Sequence, residues 1–280
     1  NMTYFALSPC GTKTAAAVQV APADSGEIHK FKKGTFTAAL DGKAWENTYI
    51  NVWGLVLSPD GKSLAAEVRL NLYDYTIVVD GKAWDTTFSS VWEPIFRPGT
   101  QQVVAPVRIK GQWTLAEDGG MLWDRPFVQL WQPAFSPDGK HLAAIVAPSY
   151  GCWTVALDGV PWTRTFGDMV CDVVFSPDGS RLAALAKEGS VWKVVVDGKA
   201  WSNSFDMAWP PVFSPNGDTV AAKVEKKGQY AFVVNDRMGS QACEAAWDPV
   251  FSPDGERILL RSIEDGIYYR RVVPVSDFMT

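Results

Sequence analysis

Reactive side chains are few in this chain, and their types and spacing set narrow limits on its chemistry. It has two histidines, His29 and His141, and four cysteines, Cys10, Cys152, Cys171 and Cys243. No Cys-x-x-Cys pair occurs, and the cysteines lack metal-ligand spacing. Two isolated histidines are poor material for a histidine metal centre or a Ser-His triad, which need convergent partners. A nucleophile elbow, a phosphate loop and a dinucleotide fingerprint are all missing from the sequence. The expectation is a chain with no catalytic residue, no cofactor-binding residue and no metal ligand.

One acidic set stands apart. Glu93, Asp172 and Asp248, with Gln132, hold the same place in four repeats of the chain. Strand starts on one face of a radial repeat fold gather at a channel mouth, so the three carboxylates form a candidate acidic cluster there. Such a cluster suits a hard cation or a cationic group of a partner, although a solvated polar rim accounts for it as simply. A second candidate is the insertion Ala21–Gly34, with His29, Lys30, Lys32 and Lys33 as candidate docking residues. A departure from a regular repeat points to function better than the repeat does, because rigid scaffolds carry their binding groups on loops.

The elements that position these groups follow from the repeat. A Ser-Pro-x-Gly signature begins at residues 8, 58, 97, 136, 176, 214 and 252, degraded only to Arg97-Pro98-Gly99. The spacing is 38–40 residues after a longer first interval. Each unit reads as four strands: one ending at the signature, a small-residue strand such as Leu64–Val68, a third such as Tyr75–Val79, and a fourth, Lys82–Phe88, entered through Asp80-Gly81. An Asp-Gly pair between apolar runs is a hairpin signal. Four-stranded units at this period predict an all-β, seven-bladed β-propeller of four-stranded antiparallel blades. The units run about 2–49, 50–88, 89–127, 128–166, 167–205, 206–243 and 244–280, expected as a single domain over 1–280. The last unit lacks a clear fourth strand. Either 274–280 supply it or another segment does.

The thirteen tryptophans all fall at three repeat positions. Trp53, Trp92, Trp131, Trp209 and Trp247 lie in first strands, Trp113, Trp153 and Trp192 open third strands, and Trp45, Trp84, Trp123, Trp162 and Trp201 follow the Asp-Gly turn. A ring repeated in each unit is expected to pack blade against blade, burying about 150–250 Å². Composition limits the remaining classes. A net charge of −5 suits no nucleic-acid partner. No apolar run of 18 residues predicts a membrane span. Residues 1–20 lack the basic start and apolar run of an export signal, and read as strand, turn, strand.

Phe175-Ser176-Pro177-Asp178-Gly179 followed by Leu182-Ala183-Ala184 resembles the WD40-like repeats of TolB-type propellers, over essentially the whole chain. The units Val79-Asp80-Gly81-Lys82-Ala83-Trp84 and Val196-Asp197-Gly198-Lys199-Ala200-Trp201, with the tryptophan richness, resemble the TmcD-type subunits of the Tmc transmembrane redox complexes. That resemblance implies a cytoplasmic, cofactor-free assembly subunit, held at the membrane only through partners. Those partners would be iron–sulfur and cytochrome subunits of an electron-transfer complex. The competing readings are a TolB-like periplasmic interaction domain and a propeller enzyme that binds a metal or small ligand.

Overall fold

The computed structural model describes residues 2–20 and 35–278. The chain is all-β, with seven antiparallel sheets in sequence order. Among the described residues no helix is long and apolar enough to cross a membrane. The chain divides into two compact units, Asn1–Pro133 and Ala134–Thr280. The insertion carrying His29, Lys30, Lys32 and Lys33 lies outside the described residues.

The second repeat shows how the sequence makes a sheet. Its strands are Asn51–Leu57, Leu64–Arg69, Tyr75–Val79 and Lys82–Ala83, paired in that order. Asp80 and Gly81 both hold positive φ, 49° and 82°. This is the two-residue turn whose twist matches that of the flanking strands. Asp80 also accepts a hydrogen bond from the Leu64 amide at 2.8 Å, so the turn is tied to the start of the second strand. The same bond recurs from Thr14 to Asp41, Val103 to Asp118, Leu142 to Asp158, Leu182 to Asp197 and Val220 to Asn235.

The fourth strand is shorter than expected. Past Lys82–Ala83 the chain makes one more backbone bond, from the Trp84 amide to the Ile77 carbonyl at 2.9 Å, and then leaves the ladder until the Tyr75–Phe88 bridge. Thr76 explains the gap, since its hydroxyl donates to the Thr86 carbonyl at 2.9 Å in place of a ladder bond. Thr37, Thr114 and Thr154 do likewise toward Asn47, Trp123 and Arg164. The small residues of the second strand lie in the interior: Ala65, Ala66, Ala143, Ala144, Ala183 and Ala184 are fully buried. In the seventh repeat, Leu259 and Leu260 at this place are only half-buried.

The signature turns interlock within each unit. Ser58 bonds Asp60 and accepts from the Ser63 amide, and the pattern repeats at Ser136, Ser176 and Ser252. The signature serine hydroxyl holds Asp60 and Asp178 down at about 2, helped by the Lys62 amide at Asp60 and by the Ser180 hydroxyl and amide at Asp178, so both stay ionised. A Cβ on Gly179 would meet Ser136 Cβ at 3.0 Å, so a turn in this unit rests on the turn one repeat earlier.

The seventh sheet consists of Ala245–Ala246, Val250–Phe251, Arg257–Glu264 and Ile267–Pro274, with the first two segments sharing the first-strand place. Past Pro274 the described residues do not continue as an outer strand. Val275–Phe278 form a short 3-10 turn with Val275 and Phe278 buried. Phe278 lies against Gly239, the position that holds tryptophan in five earlier repeats.

Cys10 replaces the signature aspartate in the first repeat. It is exposed, not a small buried hydrophobe, and its sulfur lies 3.3 Å from Ser8 Oγ and 2.9 Å from Thr12 Oγ1. These hydrogen bonds bring the thiol down to about 7. Burial, reinforced by Asp172, pushes Cys171 up to about 12, and burial also raises Cys243. Because the thiolate is the reacting species, Cys10 is expected to alkylate first with iodoacetamide at pH 7, as read by site-resolved mass spectrometry. Equal rates at Cys171 or Cys243 would contradict this assignment.

Candidate binding surface

The three tryptophan positions part company in the structure. Rings after the Asp-Gly turn are buried or nearly so, as with Trp84, Trp123 and Trp201, and Trp113 and Trp192 in third strands are buried too. First-strand rings are not. Trp92 is 37% exposed and Trp247 is 41% exposed, so packing between blades does not account for these two.

The backbone gives the reason. Asn51–Leu57 and Met169–Phe175 run as continuous seven-residue strands with a bulge after the first-strand Trp or Cys. Gly54, Gln132 and Asp172 sit there with φ of 56°, 49° and 52°. In the third, sixth and seventh repeats the residue after the tryptophan does not hold positive φ, and their first strands break into two short pieces. Pro94, Pro211 and Pro249 stand two residues past those rings, but Pro133 holds the same place inside the continuous strand Gln129–Phe135, so the left-handed bulge residue and not the proline separates the two forms. Pro94 and Phe96 turn inward while Trp92 stays out.

Within Asn1–Pro133 these rings form a shelf. Trp92 stacks on Trp131 with centroids 6.3 Å apart and planes 10° apart, and it tilts against Trp113 at 4.6 Å. The Arg108 guanidinium caps Trp113 at 6.0 Å. A groove of about 280 Å³ runs along the shelf, walled by Trp92, Trp131, Ile95 and Pro106, with Glu93 and Gln132 on its rim. Stacked aromatic faces with a polar edge are the material of binding hot spots.

Glu67 lies beside the same row. It pairs across the sheet with Trp53 and is 5% exposed. Burial pushes its carboxyl up to about 7, the charge of Glu93 adds to this, and a hydrogen bond from the Trp53 side chain opposes it. Gly54 makes room for it, since a Cβ there would fall 2.4 Å from Glu67 Oε1. In Ala134–Thr280 the equivalent second-strand positions hold Lys223 and Arg261. Lys223 sits 4.6 Å from the Trp209 ring and 3.0 Å from Asp248. Arg261 donates to the Asp248 carbonyl, and its Nε is buried without a hydrogen-bond partner.

The three carboxylates read as one cluster have separate surroundings. Glu93 is exposed on the groove rim and faces Glu67 electrostatically. Asp172 accepts from the Cys171 thiol at 3.0 Å, and Asp248 is neutralised by Lys223. Among the described residues, no group of three or more His, Cys, Asp or Glu side chains is arranged to hold a metal ion. His141 is exposed and bonds Asp158 at 2.7 Å. Sequence reasoning missed Glu67, Lys223 and Arg261. The available signal was a charge inside an apolar run, Leu64-Ala65-Ala66-Glu67-Val68.

A raised carboxyl in the folded state carries a signed consequence. Folded Glu67 keeps its proton at a higher pH than the unfolded chain does. Its contribution to stability is therefore complete below the ordinary 4.5 and is lost as the pH rises through about 7. Glu67→Gln stays neutral throughout. Its stability relative to the parent should rise between pH 4.5 and 8 by on the order of 2–3 kcal/mol, measured as urea midpoints at the two pH values. Parallel pH dependence in both proteins would refute the assignment.

No family model matches the chain, and no curated protein matches it. Solved structures do. A eukaryotic initiation factor is 12% identical over 99% of this chain and 76% of its own, with a TM-score of 0.51. TolB from Acinetobacter baumannii is 16% identical over 75% of this chain and 61% of its own, at 0.39. The Dos1 propeller is 10% identical over 95% and 91%, at 0.42. At 12% identity the initiation-factor likeness, with its TM-score of 0.51, speaks for the fold alone. One antiparallel sheet per repeat, seven in all, makes the fold an all-β, seven-bladed propeller.

Proposed function

We propose that this protein is a non-catalytic binding subunit that assembles with other proteins through its first-strand tryptophan shelf. The observation that carries this reading is the Trp92–Trp131 stack, with Trp92 left 37% exposed. In a repeat whose other rings are mostly spent on packing, a large ring in solvent is costly to keep unless something covers it. Trp131 and Trp113 fix its orientation, so a partner would meet a surface already ordered and would lose little entropy at the contact. The rim adds selectivity. Glu93 is exposed beside the rings, and a cationic or amide-bearing group of a partner would satisfy it.

The partner class we favour comes from the repeat resemblance. Iron–sulfur and cytochrome subunits of a membrane-bound redox complex would hold this chain on the cytoplasmic side, with the propeller as scaffold and not as electron carrier. Tagged protein purified from native membranes in mild detergent tests this. The parent should co-elute with haem and iron–sulfur absorbance, and Trp92→Ala/Trp131→Ala should lose both by at least about tenfold while remaining folded by circular dichroism. A parent protein eluting without chromophore would refute the redox assignment. Retention of partners by the double variant would refute the shelf.

A further inference from the structure

The sixth repeat departs from the others at two neighbouring places. Five repeats pair an outer tryptophan with an aromatic four residues on: Trp45 and Tyr49, Trp84 and Phe88, Trp123 and Phe127, Trp162 and Phe166, Trp201 and Phe205. Two of these pairs meet edge to face, at 6.4 Å for Trp84–Phe88 and 6.2 Å for Trp123–Phe127. The sixth repeat has Gly239 and Cys243 instead. Its backbone keeps the common course. Gly239 donates to the Phe232 carbonyl as Trp201 donates to that of Val194, and Cys243 bridges Tyr230 as Phe205 bridges Trp192.

Two rings are thus deleted from an unchanged frame, and a cavity of about 450 Å³ lies at Gly239 and Cys243. Phe278 of the C-terminal turn takes up part of the space, standing 3.0 Å from where a Gly239 Cβ would be. Phe232, Met238 and Leu260 complete the apolar lining. The remaining wall is a fixed polar group. Glu264 accepts from Ser262 Oγ at 2.7 Å and from both terminal nitrogens of Arg271, at 2.5 and 2.9 Å. Arg271 also rests on the Tyr269 ring at 4.0 Å. Arg271 and Glu264 cancel in charge, so the wall favours neither an anion nor a cation.

We propose that this cavity binds a neutral, flat aromatic compound of one or two fused rings bearing one hydrogen-bond donor. The ring system would replace the missing tryptophan and phenylalanine against Phe278 and Met238. The donor would point to Glu264. The volume falls within the range of small-molecule sites, which are mostly apolar with a few placed polar groups. Dry apolar cavities of smaller size take up single aromatic rings. This inference is independent of the tryptophan shelf, which lies in the other compact unit.

Indole is the probe, titrated calorimetrically into the full chain. We expect saturable one-to-one binding, weakened at least about tenfold by Cys243→Phe, which refills the space. 1-Methylindole, which lacks the donor, should bind more weakly than indole. No saturation up to the solubility limit, or unchanged affinity in Cys243→Phe, would overturn the proposal; equal binding of 1-methylindole would overturn the part assigned to Glu264. Should Cys243→Phe fail to fold, the parent gives a second readout. Saturating indole should slow methylthiolation of Cys243 several-fold and leave exposed Cys10 unaffected, and a lack of protection at Cys243 would count against the site.

Discussion

The bond from the first amide of the second strand to the side chain of the outer turn sets the frame of six of the seven blades. It joins Leu64 to Asp80 and recurs in five other repeats, with Asn235 substituting once for aspartate. A charge-assisted bond of this kind is worth about 1.5–3 kcal/mol, and it also fixes register. Register decides which side chains turn inward, because a slip of one residue would send each to the opposite face. With that contact made, the alanines of the second strand fall in the interior and neighbouring sheets can approach. The outer tryptophans then have a defined place to pack, as Trp84 does against Gly119 and Trp162 against Gly198.

On a frame so regular, departures stand out as choices of local chemistry. Where the residue after a first-strand tryptophan is not left-handed the strand breaks, and in the third and seventh repeats the ring stays outward. Glycine and cysteine in the sixth repeat remove two rings and leave a cavity that Phe278 only partly fills. Cysteine in the first signature turn exchanges a carboxylate for a thiol in the same hydrogen-bonded seat. The changes in the sixth repeat and in the first signature turn leave the backbone course almost untouched, so their cost is local and the new cavity or thiol is held rigidly.

The repeat made much of this legible in the sequence. Strand order, the Asp-Gly turns and the burial of Trp84, Trp123 and Trp201 follow from period and residue type alone. The shortened fourth strand was not legible, because a hydroxyl such as that of Thr76 replaces the ladder bond, and its target becomes known only with the fold. Trp92 was misread because one repeat position was taken to mean one environment. No residue type marks the difference: Pro94 and Pro133 share the place two residues past the ring, yet the third repeat's strand breaks and the fourth's runs through. Glu67, Lys223 and Arg261 occupy a single repeat position with opposite charges, so no common motif announced them. Phe278 standing beside Gly239 joins residues far apart in sequence, and no local pattern carries it. Glu93, Asp172 and Asp248 share a repeat position, yet each finds a different neighbour, because the second-strand residue opposite them varies from repeat to repeat.

The account rests on a division of the tryptophans into packed and outward rings, and hydroxyl-radical footprinting read by mass spectrometry tests it most directly. Trp92 and Trp247 should oxidise several-fold faster than Trp84, Trp123 and Trp201 in the isolated protein, in line with their exposure. Uniform protection of all five, or faster oxidation of the outer-turn rings, would contradict it.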